Sequence, residues 1–189
     1  MKLIFILILT YTFVSSNNIS ANENIENCSI KNVPSKERIF SKNFSGVFNG
    51  KRIDYVASLK EKIIYEKDNP SEPMASFFYT EYIVESDKNR PIIFSFNGGP
   101  GSASLWLHMG VLGPKVIKVP SDASDDGAAP FKIVDNKLSP LSDADLVFID
   151  PIGTGYSRAI GCHEPEEFWG VSEDPKIIAE FIRRWINDN

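Results

Sequence analysis

Apolar and polar residues alternate from Phe44 to Lys67, as they do in half-buried β-strands. This stretch, "FSGVFNGKRIDYVASLKEKIIYEK", contains Asn49-Gly50, a pair typical of the tight turn between two antiparallel strands. Further along, "ASFFYTEYIV" is rich in aromatic and β-branched residues, which favour strands. We therefore predict a hairpin or meander around Asn49-Gly50, followed by a further strand.

Two short, continuous apolar runs predict strands of another kind. Residues 91–96, "PIIFSF", and residues 145–150, "DLVFID", have the uninterrupted apolar character of strands buried on both faces. Each run leads into a glycine-rich turn, "NGGPGSAS" after the first and "PIGTGYS" after the second. Ligand sites of open α/β sheets gather at the carboxyl ends of their strands. These two turns therefore form the candidate functional site.

The remaining segments predict two helices, a further strand and a loop. "SASLWLHMG" favours a short helix that begins at Ser102 and Ser104 and closes at Gly110, "GPKVIKV" predicts a strand, and "PSDASDDGAAP" predicts a loop. "EDPKIIAEFIRRWIN" predicts an amphipathic helix with Asp174 as its N-cap and Pro175 in its first turn. The apolar face of this helix contains Ile177, Ile178, Phe181, Ile182, Trp185 and Ile186. Such a face must dock on another part of the protein.

The order of these elements predicts an α/β fold with a mixed sheet that begins with antiparallel strands. We assign residues 44–189 to this domain and residues 17–43, rich in Asn, Ser and Lys, to a flexible mature N-terminus. Residues 1–16, "MKLIFILILTYTFVSS", have the pattern of a secretory signal peptide, with a cut as late as Ala21 as an alternative. A membrane anchor is the competing interpretation, but the apolar run is short for a bilayer span. We expect an exported protein, in the periplasm, the extracellular space or a vacuole or lysosome, without stable membrane insertion after cleavage.

The composition of the chain argues against several classes of ligand, namely nucleic acids, metal ions and cofactors. The 189 residues carry a net charge of −5 and contain neither a basic stripe nor interleaved basic and aromatic residues, so we expect no nucleic-acid partner. The two histidines, His108 and His163, lack metal-ligand spacing with the two cysteines, and we predict no metal and no cofactor. Cys28 and Cys162 either pair with each other or need other partners. Sequons begin at Asn18, Asn27 and Asn43 and matter only if the source glycosylates.

The glycine cluster after "PIIFSF" is compatible with several kinds of binding or catalytic site. Gly98, Gly99 and Gly101 indicate backbone that adopts a positive φ or is approached closely. Their spacing does not match a dinucleotide-binding fingerprint, and the lysine of a phosphate-binding P-loop is missing. The remaining use is an oxyanion hole for acyl transfer, in which backbone N–H groups stabilise a developing negative charge. In α/β-hydrolases one such donor lies in the loop after the third strand.

Four stretches together, "FSFNGGPGSAS", "VLGP", "LVFIDPIGTGYSRA" and "FWGVSEDPKIIAEFIRRW", resemble the serine carboxypeptidases, peptidase family S10. The resemblance runs from about Phe44 to Asn189 and is greatest to the bacterial-type variant, because Ser102 stands where many eukaryotic members have Cys. It implies the N-terminal part of an α/β-hydrolase mixed sheet. It also implies that Asn97 and Gly98 bind the terminal carboxylate of a peptide or protein substrate, and that the Gly99 amide is an oxyanion donor.

The chain departs from the family pattern at two places. Ser95 stands where the family often has a Trp tied to the carboxylate site. The family's nucleophile turn, Gly-Glu-Ser-Tyr-Gly, does not occur, and the later strands and the Asp and His of the triad are not matched either. The resemblance thus implies a serine carboxypeptidase that works through an acyl-enzyme, truncated here before its triad and inactive alone. The alternatives are an acyltransferase of the same fold and a non-catalytic secreted binding protein, and the oligomeric state stays open.

Other residues invite a catalytic interpretation that we do not favour. Ser157 lies in "GYSRA", close to a nucleophile-elbow pattern, but "PIGTG" separates it from the preceding strand. We expect Asp150 to hold its turn together rather than act as a triad acid. We expect His108 to be packed or hydrogen-bonded behind the glycine loop, and His163 to be solvated.

Overall fold

The structure, a computed structural model, describes residues 33–86, 89–98, 101–119 and 131–189. The predictions for the signal peptide, for residues 17–32 and for the whole loop "PSDASDDGAAP" lie outside these residues, as do those for Cys28 and Gly99. Cys162 is disulfide-bonded, which excludes a free thiol at this position.

In the described residues, eight strands alternate with two α-helices and shorter helical turns. The strands are β1 (Ile39–Phe48), β2 (Lys51–Tyr65), β3 (Pro73–Ile83), β4 (Ile92–Ser95), β5 (Lys115–Ile117), β6 (Ile133–Asp135), β7 (Asp145–Ile149) and β8 (Arg158–Ala159). The α-helices are α1 (Leu105–Leu107) and α2 (Glu173–Asp188). A π-helical turn, His108–Leu112, continues α1, and 3₁₀ turns span Pro140–Ser142 and Pro165–Phe168.

The main sheet has the strand order β1-β2-β3-β7-β4, with β8 added beside β3. Neighbours are antiparallel except β4 and β7, which run parallel. Strands β5 and β6 form a separate antiparallel pair. The predicted mixed sheet with an antiparallel start is therefore confirmed, and so is the short strand in "GPKVIKV".

The predicted hairpin is formed by β1 and β2. Asn49 and Gly50 have φ angles of 49° and 76°, the positive values that a two-residue hairpin turn of this type requires. The start of the hairpin corrects the sequence boundary, because β1 begins at Ile39, inside the stretch assigned to a flexible N-terminus. Strand pairing with β2 along its whole length orders these additional residues.

The two apolar runs differ in burial, although the sequence predicted both to be buried on two faces. Every residue of β7 is buried, as predicted. Strand β4 is not, because among the described strands it pairs with β7 alone and forms an edge of the sheet. Ile92 in β4 is 38% exposed as a result.

The short helix after the glycine loop ends later in the chain than predicted. The α-helical turn Leu105–Leu107 passes directly into the π-helical turn, which carries the helical segment past Gly110 to Leu112. It ends at Gly113, where an added Cβ would clash with the carbonyl oxygen of His108. Gly113, rather than Gly110, therefore closes the helix.

Helix α2 docks on the sheet through the predicted apolar face. Its side chains Ile177, Ile178, Phe181 and Trp185 are buried against β3 and β7, whereas Ile186 is 57% exposed. The Phe181 ring lies 5.2 Å from Phe77 and 5.0 Å from Tyr79, ring centre to ring centre. This packing anchors the start of α2 beside the carboxyl end of β4.

The beginning of α2 differs from the sequence prediction. Ser172 occupies the N-cap position, and Asp174 is the second residue of the helix.

Within the described residues, no helix combines the length and the apolar character needed to cross a membrane.

Candidate functional site

The two glycine-rich turns lie side by side. Strands β4 and β7 are parallel neighbours, and Ser95 near the end of β4 pairs with Phe148 near the end of β7. The turns that begin at Phe96 and Asp150 therefore leave the sheet at the same edge. This juxtaposition is what the sequence predicted from the carboxyl ends of two strands.

Ser104 connects the two turns through three hydrogen bonds. Its hydroxyl donates to the carbonyl oxygen of Ile149, and it accepts the backbone N–H of Asn97 at 3.4 Å. The backbone N–H of Ser104 donates to Asp150 Oδ1 at 2.8 Å. Ser104 is 1% exposed and occupies the N-cap position of α1, as predicted, but its side chain makes no cap hydrogen bond and joins the two loops instead.

Asp150 has the structural role predicted for it. Burial raises the pKa of its carboxyl group, and the N–H of Ser104 partly offsets this effect. Gly155 packs directly against this carboxylate with φ at 51°, and a Cβ there would clash with Asp150 Oδ2. Glycine is required at position 155 because the second turn must both approach Asp150 and adopt a left-handed backbone.

Ser157 also has a structural role, which its contacts with described residues define. It is fully buried, and its hydroxyl oxygen accepts the backbone N–H of Phe78 at 2.8 Å. The same hydroxyl lies 3.5 Å from the carbonyl oxygen of Phe78. These contacts join the second turn to β3 and leave the side chain no access to a substrate.

The two histidines are placed differently from one another. His108 Nε2 lies 2.6 Å from the Tyr82 hydroxyl, its ring stacks on Phe148, and burial lowers its pKa to about 4, so it is packed as predicted. His163 is not solvated, which corrects the prediction. Its side chain is 14% exposed, Nδ1 lies 2.8 Å from Glu167 Oε2, and Nε2 is buried without a hydrogen-bond partner.

A cleft of about 340 Å³ separates the first glycine-rich turn from the start of α2. It is lined by Phe96, Asn97, Gly98, Gly170, Val171, Asp174, Pro175 and Ile178. An added Cβ at Gly98 would meet no atom of the described residues within 4 Å, so this part of the protein leaves space beside the Gly98 backbone. Gly101, with φ at 98°, needs glycine for its conformation.

Among the described residues, two buried side-chain oxygens of residues that line this cleft have no hydrogen-bond partner. Asn97 Oδ1 and Asp174 Oδ1 are both buried and unsatisfied. Burial and the neighbouring Glu173 carboxylate raise the pKa of Asp174. The sequence suggested Asn97 and Gly98 but treated Asp174 only as a helix cap. An acidic residue in the first turn carries no sequence signal that distinguishes a cap from a residue facing a cleft.

The structure brings Asn97 and Gly98 to one wall of the cleft, whereas Gly99, the expected oxyanion donor, lies outside the described residues. Across the parts of the chain that the structure describes, no group of three His, Cys, Asp or Glu side chains is arranged to hold a metal ion. Asn97 contributes a side-chain amide group to the lining of the cleft, and Asp174 contributes a carboxyl group.

Comparison with known proteins identifies the family. The model of the serine carboxypeptidase family, peptidase S10, matches residues 56–188. Serine carboxypeptidase-like 9 of Arabidopsis thaliana is 32% identical over 119 residues, which cover 61% of this chain and 25% of the relative. Carboxypeptidase Y homolog A of Leptosphaeria maculans is 34% identical over 95 residues, which cover 50% of this chain and 16% of the relative.

The chain thus spans about a quarter or less of the length of these relatives. The first of these relatives is a plant protein and the second is a fungal protein, so the likeness to bacterial-type members stays a prediction. No solved structure matches the chain significantly. The family model covers more than half of the 189 residues, and the chain belongs to the serine carboxypeptidase family.

Proposed function

We propose that this chain carries the substrate-carboxylate and oxyanion part of a serine-type carboxypeptidase, an enzyme that removes C-terminal residues through an acyl-enzyme. One observation supports this proposal above the others. Asn97 and Gly98 lie in the turn after β4, which the Asn97 N–H joins through Ser104 to the turn after β7. Both residues line a cleft, with space beside Gly98 among the described residues. The relatives named above carry the carboxypeptidase name.

The proposed roles follow from the groups available. The side-chain amide of Asn97 can donate N–H to a carboxylate oxygen, and the bare backbone at Gly98 allows the peptide end to approach. The Gly99 amide would stabilise the negative oxygen of the tetrahedral intermediate. The mechanism needs neither a metal nor another cofactor, because the nucleophile of this class is a serine.

We also propose that these 189 residues bind peptide ends without turning them over. They contain no Gly-Glu-Ser-Tyr-Gly sequence, and Ser157 is buried against Phe78. Neither His108, stacked on Phe148, nor His163, paired with Glu167, lines the cleft. An oxyanion donor without a nucleophile and a base gives binding rather than catalysis.

Export and the nature of the partners belong to the same proposal. The signal-like residues 1–16 support secretion or delivery to a periplasmic, vacuolar or lysosomal compartment, and Ser102 supports a bacterial-type enzyme. Peptide and protein C-termini are the proposed ligands, with no role for nucleic acid. An acyltransferase of the same fold would instead accept an acyl donor, and a secreted binding protein would bind peptides independently of their free carboxylate.

The test is the affinity of the 189-residue protein for a pentapeptide with a free C-terminus and for the same peptide amidated, measured by calorimetry. We expect the free acid to bind about tenfold more tightly, since charged hydrogen bonds contribute about 1.5–3 kcal/mol. Asn97→Ala should remove this difference, whereas Asn43→Ala, on the exposed strand β1, should not. Equal affinity for acid and amide would overturn the proposal, and release of the terminal amino acid above the buffer rate would overturn its non-catalytic part.

A further inference from the structure

We propose that two copies of this chain associate through strand β1, whose free edge pairs antiparallel with the same edge of the second copy. The main sheets of the two copies then form one continuous sheet across a two-fold axis. This inference concerns a surface other than the cleft, and it does not depend on the proposed carboxypeptidase function.

The outer edge of β1 is long and unprotected. The strand spans ten residues, Ile39–Phe48, and among the described residues it pairs with β2 alone. Its outer edge therefore presents a row of backbone N–H and C=O groups that a further strand can pair with. Proteins that keep such an edge unpaired commonly protect it with proline, several charges or a β-bulge. Strand β1 has no proline, one charged residue, Lys42, and an uninterrupted register with β2.

Both faces of β1 carry exposed apolar side chains. Ile39 and Val47 lie on one face of the strand. Phe40 and Phe44 lie on the other face, because side chains alternate along a strand. Lys42 shares the face of Phe44, with its ammonium nitrogen 5.5 Å from the centre of the ring. Contact with a second strand removes part of this carbon surface from water, which favours association.

The hydrogen bonds to β2 determine which backbone groups of β1 point outward. The N–H of Glu61 donates to the carbonyl oxygen of Arg38 at 2.8 Å, directly before the first pair of the β1–β2 register. Backbone groups of successive residues in a strand point to opposite sides. The even-numbered residues of β1 therefore pair with β2, and the odd-numbered residues from Ile39 to Val47 present N–H and C=O groups at the free edge. When two copies pair antiparallel, an odd-numbered residue must lie opposite an odd-numbered residue.

Of the registers of this kind near the middle of the strand, one suits the side chains best. It places Asn43 of each copy on the two-fold axis. Ile39 then lies opposite Val47 of the second copy, which joins two exposed apolar side chains. Lys42 lies opposite Phe44, which joins a cation with an aromatic ring. A register centred on Lys42 would place two ammonium groups opposite each other, and one centred on Phe44 would leave Ile39 beyond the end of the second strand.

The experiment uses the 189-residue protein from a bacterial host, because Asn43 begins a sequon and a glycan there would block the axis. Sedimentation velocity over a dilution series measures the dissociation of the dimer. We expect a dissociation constant in the micromolar range, since one pair of strands forms a small interface.

Asn43→Cys tests the register. With oxidised glutathione as the oxidant, two cysteines opposite each other should form a disulfide between the copies, visible as a dimer on a non-reducing gel. Ser41→Cys is the matched control, an exposed odd-numbered position on the same strand. Its two cysteines would lie four positions apart along the strand, about 13 Å, which is beyond the reach of a disulfide.

Ile39→Lys tests the apolar contact. Two lysines replace the two isoleucines that lie opposite Val47, and we expect the dissociation constant to rise about tenfold or more. Ile133→Lys is the matched control, because Ile133 lies in β6, outside the main sheet, and is 60% exposed against 61% for Ile39. This control should leave the dissociation constant unchanged.

The outcomes decide the proposal as follows. A protein that stays monomeric at about 100 µM would overturn it, since a micromolar dimer is almost fully assembled at that concentration. Dimers that cross-link equally through Ser41→Cys, or that withstand folded Ile39→Lys, would use another contact and overturn it as well. If circular dichroism shows that Ile39→Lys does not fold, the contrast between the two cysteine variants still decides whether β1 pairs with itself.

Discussion

Substitution of Ser104 by alanine tests the connection between the two glycine-rich turns most directly. The hydroxyl of Ser104 donates to the Ile149 carbonyl at the end of β7 and accepts the N–H of Asn97 at 3.4 Å. Alanine removes both interactions while keeping the backbone, including the N–H that donates to Asp150. The change is therefore confined to the side chain that joins the turns.

The magnitude follows from the burial of Ser104, which is 1% exposed. Removing one partner of a buried hydrogen bond costs about 1–3 kcal/mol, because the remaining group stays out of reach of water. For a chain of this size each kcal/mol corresponds to about 2–4 °C in the unfolding midpoint. We expect Ser104→Ala to lower the midpoint by about 2–12 °C.

The shift in the unfolding midpoint is measured by thermal unfolding monitored by circular dichroism. Peptide-binding measurements then show whether the lost hydrogen bonds affect the candidate site. Ser102→Ala is the matched control, since Ser102 lies in the same loop and makes none of these three hydrogen bonds. It should change stability by no more than about 0.5 kcal/mol. We also expect Ser104→Ala to weaken binding of the free-acid peptide severalfold, because Asn97 loses a contact that positions it. A midpoint within about 1 °C of the unmodified protein would refute the reasoning.

Three further predictions concern the core, the second turn and acidity. Phe181→Ala should cost about 3–5 kcal/mol in urea unfolding, because its ring is fully buried against β3, whereas Ile186→Ala on the exposed side should cost far less. Gly155→Ala should cost at least about 1 kcal/mol and broaden NMR signals of the second turn, because its Cβ would clash with Asp150; an unperturbed spectrum would contradict this. The pKa of His108, lowered to about 4 by burial, lies below its unfolded value near 6.5. The unfolded chain therefore binds the proton first, and stability should fall by roughly 3 kcal/mol as the pH drops from about 6.5 to about 4. His108→Gln should lose this part of the pH dependence, and an unchanged slope would contradict the assignment.

Local patterns in the sequence were sufficient for most of the elements. The alternation around Asn49-Gly50 predicted the β1–β2 hairpin, and the helical spacing of Ile177 through Trp185 predicted the buried face of α2. Both patterns reflect backbone geometry that repeats within a few residues, period two in a strand and 3.6 in a helix. The position of a glycine-rich turn after each of two apolar runs also predicted the edge of the sheet at which the candidate site lies.

The tertiary structure decided the features that depend on distant neighbours. The apolar composition of β4 predicted burial on both faces, but its place at the edge of the described sheet exposes Ile92. Ser104 precedes α1 at the N-cap position, as predicted, but only the adjacent end of β7 makes its hydroxyl the connection between the two turns. His163 was expected in solvent and is instead held by Glu167 four residues later.

Asp174 illustrates the same division within the candidate site. The sequence alone determined that an acidic residue precedes Pro175 at the start of an amphipathic helix. Its place opposite Asn97, separated from it by 77 positions in the chain, depends on how α2 packs across β3 and β7. Local propensity specifies which residues begin a helix, whereas the packing of its apolar face determines where that beginning lies and which loop it faces.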